Sequence, residues 1–349
     1  MEINRNSYFS KKITFLNVFL TFIIVVLHAK TPERWGLPLD MTFPFIYVVN
    51  VFTQIGVPMF FFISGLLFYK NCSFNDIEWK LRSRVRSLLI PYILWNILFV
   101  FIFWGFTHVS FIHDKMNMGD VLNDPKEIIY AVLNARYTVL WFVKDLMIFC
   151  LFSAGIFVAL EKKYIAYLVL MLSFFNACLN NYSYESIFNW FPIYFIGALW
   201  GKFYVGTKST YYGNILNLRK VYYRPLWSVL LLLIFLFLFY ISVLNNRYLF
   251  FYRFFSPVIL WILVDLLFKE YIQKSFIVKK WMSYTFFIFC THQFLLNVLQ
   301  KMVVLKFPAT SLVLNITFVV SPIIVVLLSI FIARILSRFR FYSYLSGGR

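Results

Sequence analysis

The sequence predicts an all-α fold: a polytopic membrane helix bundle of about ten transmembrane helices, with one domain covering residues 1–349. Three observations carry that expectation. Hydrophobic residues make up 62% of the chain and charged residues only 13%, whereas a soluble domain carries about 25% charged residues. A water-soluble globule of this composition would expose apolar patches far larger than a monomer tolerates. Apolar runs of the 17–25 residues needed to cross a hydrocarbon core recur along the whole sequence. The basic residues also alternate in density from one connecting segment to the next.

The runs fall at 13–29, 44–68, 87–108, 138–160, 164–180, 187–204, 226–244, 250–268, 283–304 and 311–335. The first has no small-residue cleavage site after it and reads as a retained signal-anchor helix. The sixth is short, and Pro322 predicts a kink in the tenth. With the N-terminus in the cytoplasm, 23 of the 33 Lys and Arg residues fall on inner segments and nine on outer ones, with Lys144 intramembrane. That asymmetry places both termini in the cytoplasm, in a multi-pass protein of a bacterial cell membrane. The net charge of +19 is then mostly topology, basic loops meeting the anionic lipids of the inner leaflet. Membrane lipids are expected partners. Nucleic acid is not, because no basic soluble module is present to bind it.

No internal repeat of the transporter kind is visible. The longest outer loop, about 109–137, is too short for an extramembrane domain, and His108 and His113 there read as solvated. Cys72, Cys150, Cys178 and Cys290 have no CxxC or metal-ligand spacing and read as small apolar core residues. No metal site is expected.

Ionisable and amide side chains within the runs are costly in hydrocarbon and mark candidate sites. Thr14, Asn17, Thr21 and His28 form a polar stripe on the first helix. Asn17 and His28 return to within about 20° of one face, roughly 16 Å apart along the axis. His28 reads as a functional group or as an interfacial cap. Asn50 and Gln54, one turn apart, read equally as substrate contacts or as interhelical hydrogen bonders. Lys80, Arg82, Arg84 and Arg86 put four cations in seven residues ahead of a helix. They suit either the phosphates of a charged cofactor or a lipid-facing anchor. Lys144 and Asp145 are adjacent within a span, so each faces a different neighbour. Asp265 reads as structural. His292 reads near mid-membrane, with Thr285 seven residues earlier on nearly the same face. Helix rise puts His28 and His292 about 8 Å apart in depth.

In order along nearly the whole chain, several segments resemble acyltransferase family three. These are integral membrane O-acyltransferases that modify bacterial polysaccharides and other glycans. Leu16-Asn17 through His28 resembles the family's first helix, in which an Arg is followed eleven residues later by His; Asn17 stands here in place of that Arg. Phe60 to Leu67 resembles its FFxxSGxL segment, with Ser64 at the serine. Arg82 to Tyr92 resembles its basic stretch ending in Pro-Tyr, and Leu140-Trp141-Phe142 its LWF element. Tyr194-Phe195-Ile196-Gly197 and Ser283-Tyr284 through His292 resemble two later helices.

The resemblance implies acyl-CoA, acetyl-CoA in the simplest case, as donor substrate, with no permanently bound cofactor. The acceptor it implies is a hydroxyl of a cell-surface polysaccharide or its lipid-linked precursor. Within that scheme Arg82, Arg84, Arg86 and Asn17 are the donor-binding candidates. His28 is the candidate general base, suited to proton transfer near neutrality, and Asp145 is its orienting partner. His292 or Ser64 would stabilise the oxyanion. Asn50, Gln54, Trp141 and Lys144 are the acceptor-binding candidates. A transporter or flippase of a lipid-linked glycan is the alternative from another class, using the same polar stripe as a pathway. A glycan polymerase or ligase typically needs a larger outer loop.

The charge asymmetry yields a direct test of orientation. Reporters fused after Lys70, Lys163, Lys220 and Lys280 should all report the cytoplasm, and those near Lys115 and Arg247 should report the outside. A cytoplasmic signal from the 109–137 loop would overturn the orientation.

Overall fold

A computed structural model describes residues 5–30, 44–107, 124–135, 139–179, 186–205, 224–308 and 310–348. Helices occupy all ten predicted segments, and no strand occurs among the described residues. Helix α1 spans Arg5–Leu27. Helices α2 (Pro44–Thr53) and α3 (Gly56–Tyr69) build the second span across a break at Gln54 and Ile55. Helix α4 (Asp76–Arg84) passes through a π turn, Val85–Leu89, into α5 (Ile90–Thr107), and α6 (Pro125–Leu133) follows. Helices α7 (Trp141–Leu151) and α8 (Ser153–Glu161) share the fourth predicted segment. Then come α9 (Lys163–Leu179), α10 (Ile187–Phe203), α11 (Arg224–Leu244), α12 (Leu249–Leu267), α13 (Thr285–Lys306), α14 (Ser311–Leu336) and a short α15 (Tyr342–Leu345).

Among the described residues, seven helices are long and apolar enough to cross a membrane unaided, and α7 with α8 would make an eighth, bent by 59°. Helices α9 and α10, at 17 residues each, are about 25 Å long, near the lower limit for a crossing. The apolar surface of α11 is almost wholly exposed, Leu226, Leu233 and Phe237 included, as lipid-facing helices require. Pro322 lies inside α14, which runs unbroken through it.

Part of the predicted outer loop returns to the bundle. Pro125 at the first turn and the Asp124 carboxylate, which accepts from the Lys126 amide at 2.8 Å, start α6. Ala131 of α6 packs on Val100 of α5. The Tyr92 hydroxyl donates to the carbonyls of Val132 and Leu133, at 3.0 and 2.8 Å. His108, His113 and most of that loop lie outside the described residues.

Helices α3 and α10 make the closest crossing. A Cβ built on Gly65 would overlap the Tyr194 carbonyl, and one on Gly197 would overlap that of Phe62. Only glycine allows two backbones so near, the small-residue packing expected where no hydrophobic effect drives helices together. Aromatic rings fill the rest, with Phe61 4.6 Å from Phe142 and stacked at 5.4 Å on Trp190.

The segments that the charge pattern assigned to one side meet at one end of the bundle. The Lys70 ammonium sits 3.6 Å over the Phe9 ring. Lys202 donates to the Cys72 carbonyl at 2.9 Å and Lys11 to that of Gln273 at 3.1 Å. Trp95 donates to the Leu345 carbonyl at 2.9 Å. Lys80 reaches back to the carbonyls of Phe68 and Lys70, satisfying the end of α3.

Lys12 corrects the sequence reading. It is one of the 23 cations assigned to inner segments, yet its side chain is 1% exposed and pairs with Asp265 at 2.7 Å. It also donates to the Trp261 carbonyl at 2.8 Å and lies 3.4 Å over the Trp261 ring. Composition near a helix start could not show this, because Lys12 and Asp265 are remote in sequence. Removing one partner of a buried pair strands the other charge at a cost of about 3–5 kcal/mol, whereas replacing both with apolar groups is often neutral. Lys12→Met should therefore lower the melting temperature of the purified protein sharply, and Lys12→Met with Asp265→Leu should recover most of the loss. A double variant no more stable than the single one would show that the pair is not the unit.

Candidate active site

The polar stripe of α1 faces protein, and its members serve different ends. The Thr14 and Thr21 hydroxyls donate back to their own helix, to the Ser10 and Asn17 carbonyls at 3.1 and 2.7 Å, the first at an exposed position and the second partly buried. Asn17 and Thr21 line a cavity of about 110 Å³ together with Ser64 of α3, Arg84 of α4, Tyr194 of α10 and Thr285 of α13. One water needs only about 10–15 Å³ on that scale. Most of the remaining wall is apolar, including Phe60, Phe142 and Phe289.

His28 lies in the turn that ends α1, half-buried, its backbone N–H donating to the Ile24 carbonyl at 3.1 Å. Its ring centroid is 5.1 Å from that of His292, which is fully buried in α13. The 8 Å offset expected from helix rise is therefore wrong. The estimate assumed that both helices begin at the membrane face, but Thr285, at the start of α13, already lines the cavity with Thr21. Seven residues, two helical turns, separate Thr from His on each helix. Helices α1 and α13 thus run side by side, with the threonines at one level and the histidines at the next. Thr21-x6-His28 and Thr285-x6-His292 share a spacing that could have paired them from sequence.

The Nδ1 of His292 lies 2.7 Å from the Phe289 carbonyl. A carbonyl can only accept, so this network assigns the proton to Nδ1 and leaves Nε2 of the neutral ring as an acceptor. The neutral form cannot donate to an oxyanion from Nε2, which removes that expected role unless the ring is protonated.

The basic cluster divides. Residues two apart on a helix point about 200° from each other, and the π turn starting at Val85 rotates the chain further. Arg84 lines the cavity. Arg82 is exposed and pairs with Glu78 at 2.5 Å. Arg86 is exposed, and Lys80 caps α3. A single four-cation patch is not what the fold makes.

Asp145 does not join the cavity either. Phe142, Val143, Leu146 and Cys150 turn one face of α7 into the wall. Asp145 points roughly 100° away from that face, buried within electrostatic reach of Tyr92. Its expected orienting role for His28 has no support in this placement. Lys144 is half-buried off the same face, and Trp141 packs 5.7 Å from Trp190. Gln54 accepts from Arg253 at 2.7 Å, tying α2 to α12, and the Asn50 carbonyl accepts from Thr53 at 2.8 Å. The four acceptor-binding candidates therefore lie outside the cavity wall. The sequence reading missed Tyr194 and Cys150, two apolar-looking positions on the cavity wall. The Cys72 thiol, near the basic end, is pushed up in pKa by burial and so stays protonated.

The fold is a polytopic membrane helix bundle in which His28 and His292 meet two helical turns beyond Thr21 and Thr285, which line a cavity together with Arg84. The chain matches the acyltransferase domain of the acyltransferase 3 family over residues 11–338 and belongs to that family; it is an acyltransferase. No curated protein and no solved structure matches it.

The division of the cluster sets up a graded test. Loss of a hydrogen bond to a charged ligand costs about 1.5–3 kcal/mol, roughly 10- to 150-fold. With acyl-CoA as the expected donor, Arg84→Ala should raise its KM by that order, and Arg82→Ala should leave it within twofold. Equal effects from the two would show that the cluster acts diffusely.

Proposed function

We propose that the protein transfers an acyl group, acetyl in the simplest case, from acyl-CoA to a hydroxyl of a cell-surface polysaccharide or its lipid-linked precursor. The observation that carries the reading is the His28–His292 pair, ring centroids 5.1 Å apart, two helical turns beyond Thr21 and Thr285 on the wall of a cavity that Arg84 also lines. The positive-inside bias supports a cytoplasmic location for that end and for both termini, in a bacterial cell membrane. The donor's phosphates would meet Arg84, and its thioester would reach the histidines through the cavity. His28, half-buried at the end of α1, is the more accessible of the two histidines to an acceptor.

In the transfer, neutral His28 takes the proton of the attacking hydroxyl as the oxygen bonds to the thioester carbonyl carbon. The tetrahedral intermediate collapses with cleavage of the carbon–sulfur bond. The departing thiolate takes up a proton, giving the O-acyl sugar and CoA. His292, its Nδ1 held by the Phe289 carbonyl and its ring centroid 5.1 Å from that of His28, presents an acceptor nitrogen toward that end of the site. Ser64 on the cavity wall supplies a hydroxyl for the donor or the oxyanion. Asn17, occupying the place of the family's Arg, supports the donor without charge.

Loss of a general base usually costs about 10²–10⁴-fold in rate. His28→Gln should keep protein level, membrane insertion and acyl-CoA binding, yet lose glycan O-acylation by at least about 100-fold, read by mass measurement of the glycan. His292→Gln should fall on the same side. Full acylation by the His28 variant would sink the assignment.

A further inference from the structure

The face of α13 that meets α1 is a single ridge. Ile288, His292, Leu296 and Gln300 follow one another at intervals of four residues, which stacks them along one side of the helix. All four are buried, none more than 2% exposed. Two are apolar, and one is the histidine that meets His28. The fourth, Gln300, is an amide inside the bundle and away from the cavity wall.

Gln300 carries its amide across to α1. Its Nε2 donates at 3.0 Å to the carbonyl of Ala29, the residue after His28, in a buried hydrogen bond. Helix α1 ends at Leu27, so this carbonyl lies beyond the last turn, where backbone acceptors need donors from elsewhere. His28 occupies the same turn. Its N–H still reaches the Ile24 carbonyl, and that of Ala29 reaches Val26 at 3.0 Å. Apolar packing closes round the spot, with Val25 and Ala29 set among Ile288, Leu296, Phe318 and Val325.

Interhelical hydrogen bonds in membranes add little to stability on average, because helices that have come apart find other partners. An apolar side chain at position 300 would also hold α1 against α13. What the amide adds is direction. A hydrogen bond fixes the orientation of the peptide that follows His28, and so the direction in which the histidine leaves the turn. Apolar contact is non-directional and does not set it.

We infer that Gln300 is a positioning residue for the transfer, holding the turn that carries His28 through its hydrogen bond to the Ala29 carbonyl. This rests on His28 being the general base. Gln300 is 1% exposed and off the cavity wall, so it touches neither substrate. Its loss therefore acts on turnover and spares donor affinity. A misplacement of about 1 Å costs on the order of 100-fold in rate.

The test uses the full-length protein in membranes of cells that make its glycan, supplied with acetyl-CoA, with turnover read as O-acylated glycan by mass measurement. Gln300→Met keeps the length of the side chain and removes the donor. Its kcat should fall about 10- to 100-fold. The KM for acetyl-CoA should stay within twofold, and the melting midpoint of the purified variant close to that of the wild type. Gln300→Asn, which keeps the amide but falls one methylene short of the carbonyl, should behave in the same way. The deciding measurement is the double variant, His28→Gln with Gln300→Met. Once the base is gone its position no longer matters, so the second change should cost less than about twofold more. Losses that multiply in the double variant would overturn the inference, as would an unchanged kcat in either single variant at position 300. A lowered melting midpoint with normal turnover per folded molecule would also overturn it, assigning Gln300 to the packing alone. Full activity of His28→Gln by itself would instead overturn the base assignment from which the inference starts.

Discussion

The backbone contact between α3 and α10 is the constraint on which the rest of the bundle depends. At Gly65 and Gly197 each helix presses against a carbonyl of the other, at a separation that no side chain permits. The contact holds Ser64 and Tyr194 on neighbouring stretches of the cavity wall. It also packs Phe61 against Trp190 and Phe142, so that α7 follows from the same contact. Lipid tails are as apolar as the helix surfaces, so hydrophobic burial cannot select this arrangement. Close packing can, and it leaves the site little freedom to be elsewhere.

A second constraint is electrostatic. In hydrocarbon each buried charge needs a partner and each backbone carbonyl a donor. The chain meets both needs with lysines. Lys12 takes Asp265, the Trp261 carbonyl and the Trp261 ring together. Lys80 and Lys202 close the carbonyls that follow α3. Of the cations gathered at that end, Arg84 is left to line the cavity. The division of labour explains how so basic a segment presents one guanidinium to a ligand.

The match between Thr21-x6-His28 and Thr285-x6-His292 shows how the two histidines reach each other. Equal spacing on parallel neighbours brings the second residue of each helix together once the first residues meet. The α13 helix starts deep in the bundle, level with Thr21, and this makes the registers agree. Depth estimates that start both helices at the membrane face miss it.

Much of the architecture was legible in the residues. Composition required a bilayer, the apolar runs marked all ten helical segments, and the stripe from Asn17 to His28 identified the face that lines the site. The ordered motifs, from Phe60-Phe61 through His292, carried the family. Those properties are local, set by side-chain chemistry and helical periodicity over a few turns. The sequence could not show that Lys12 pairs with Asp265, that Arg84 alone of its cluster lines the cavity, or that Asp145 turns away. It could not show that His28 stands beside His292. Each of these depends on the rotation and depth of one helix against another, and close backbone packing between segments remote in sequence decides that.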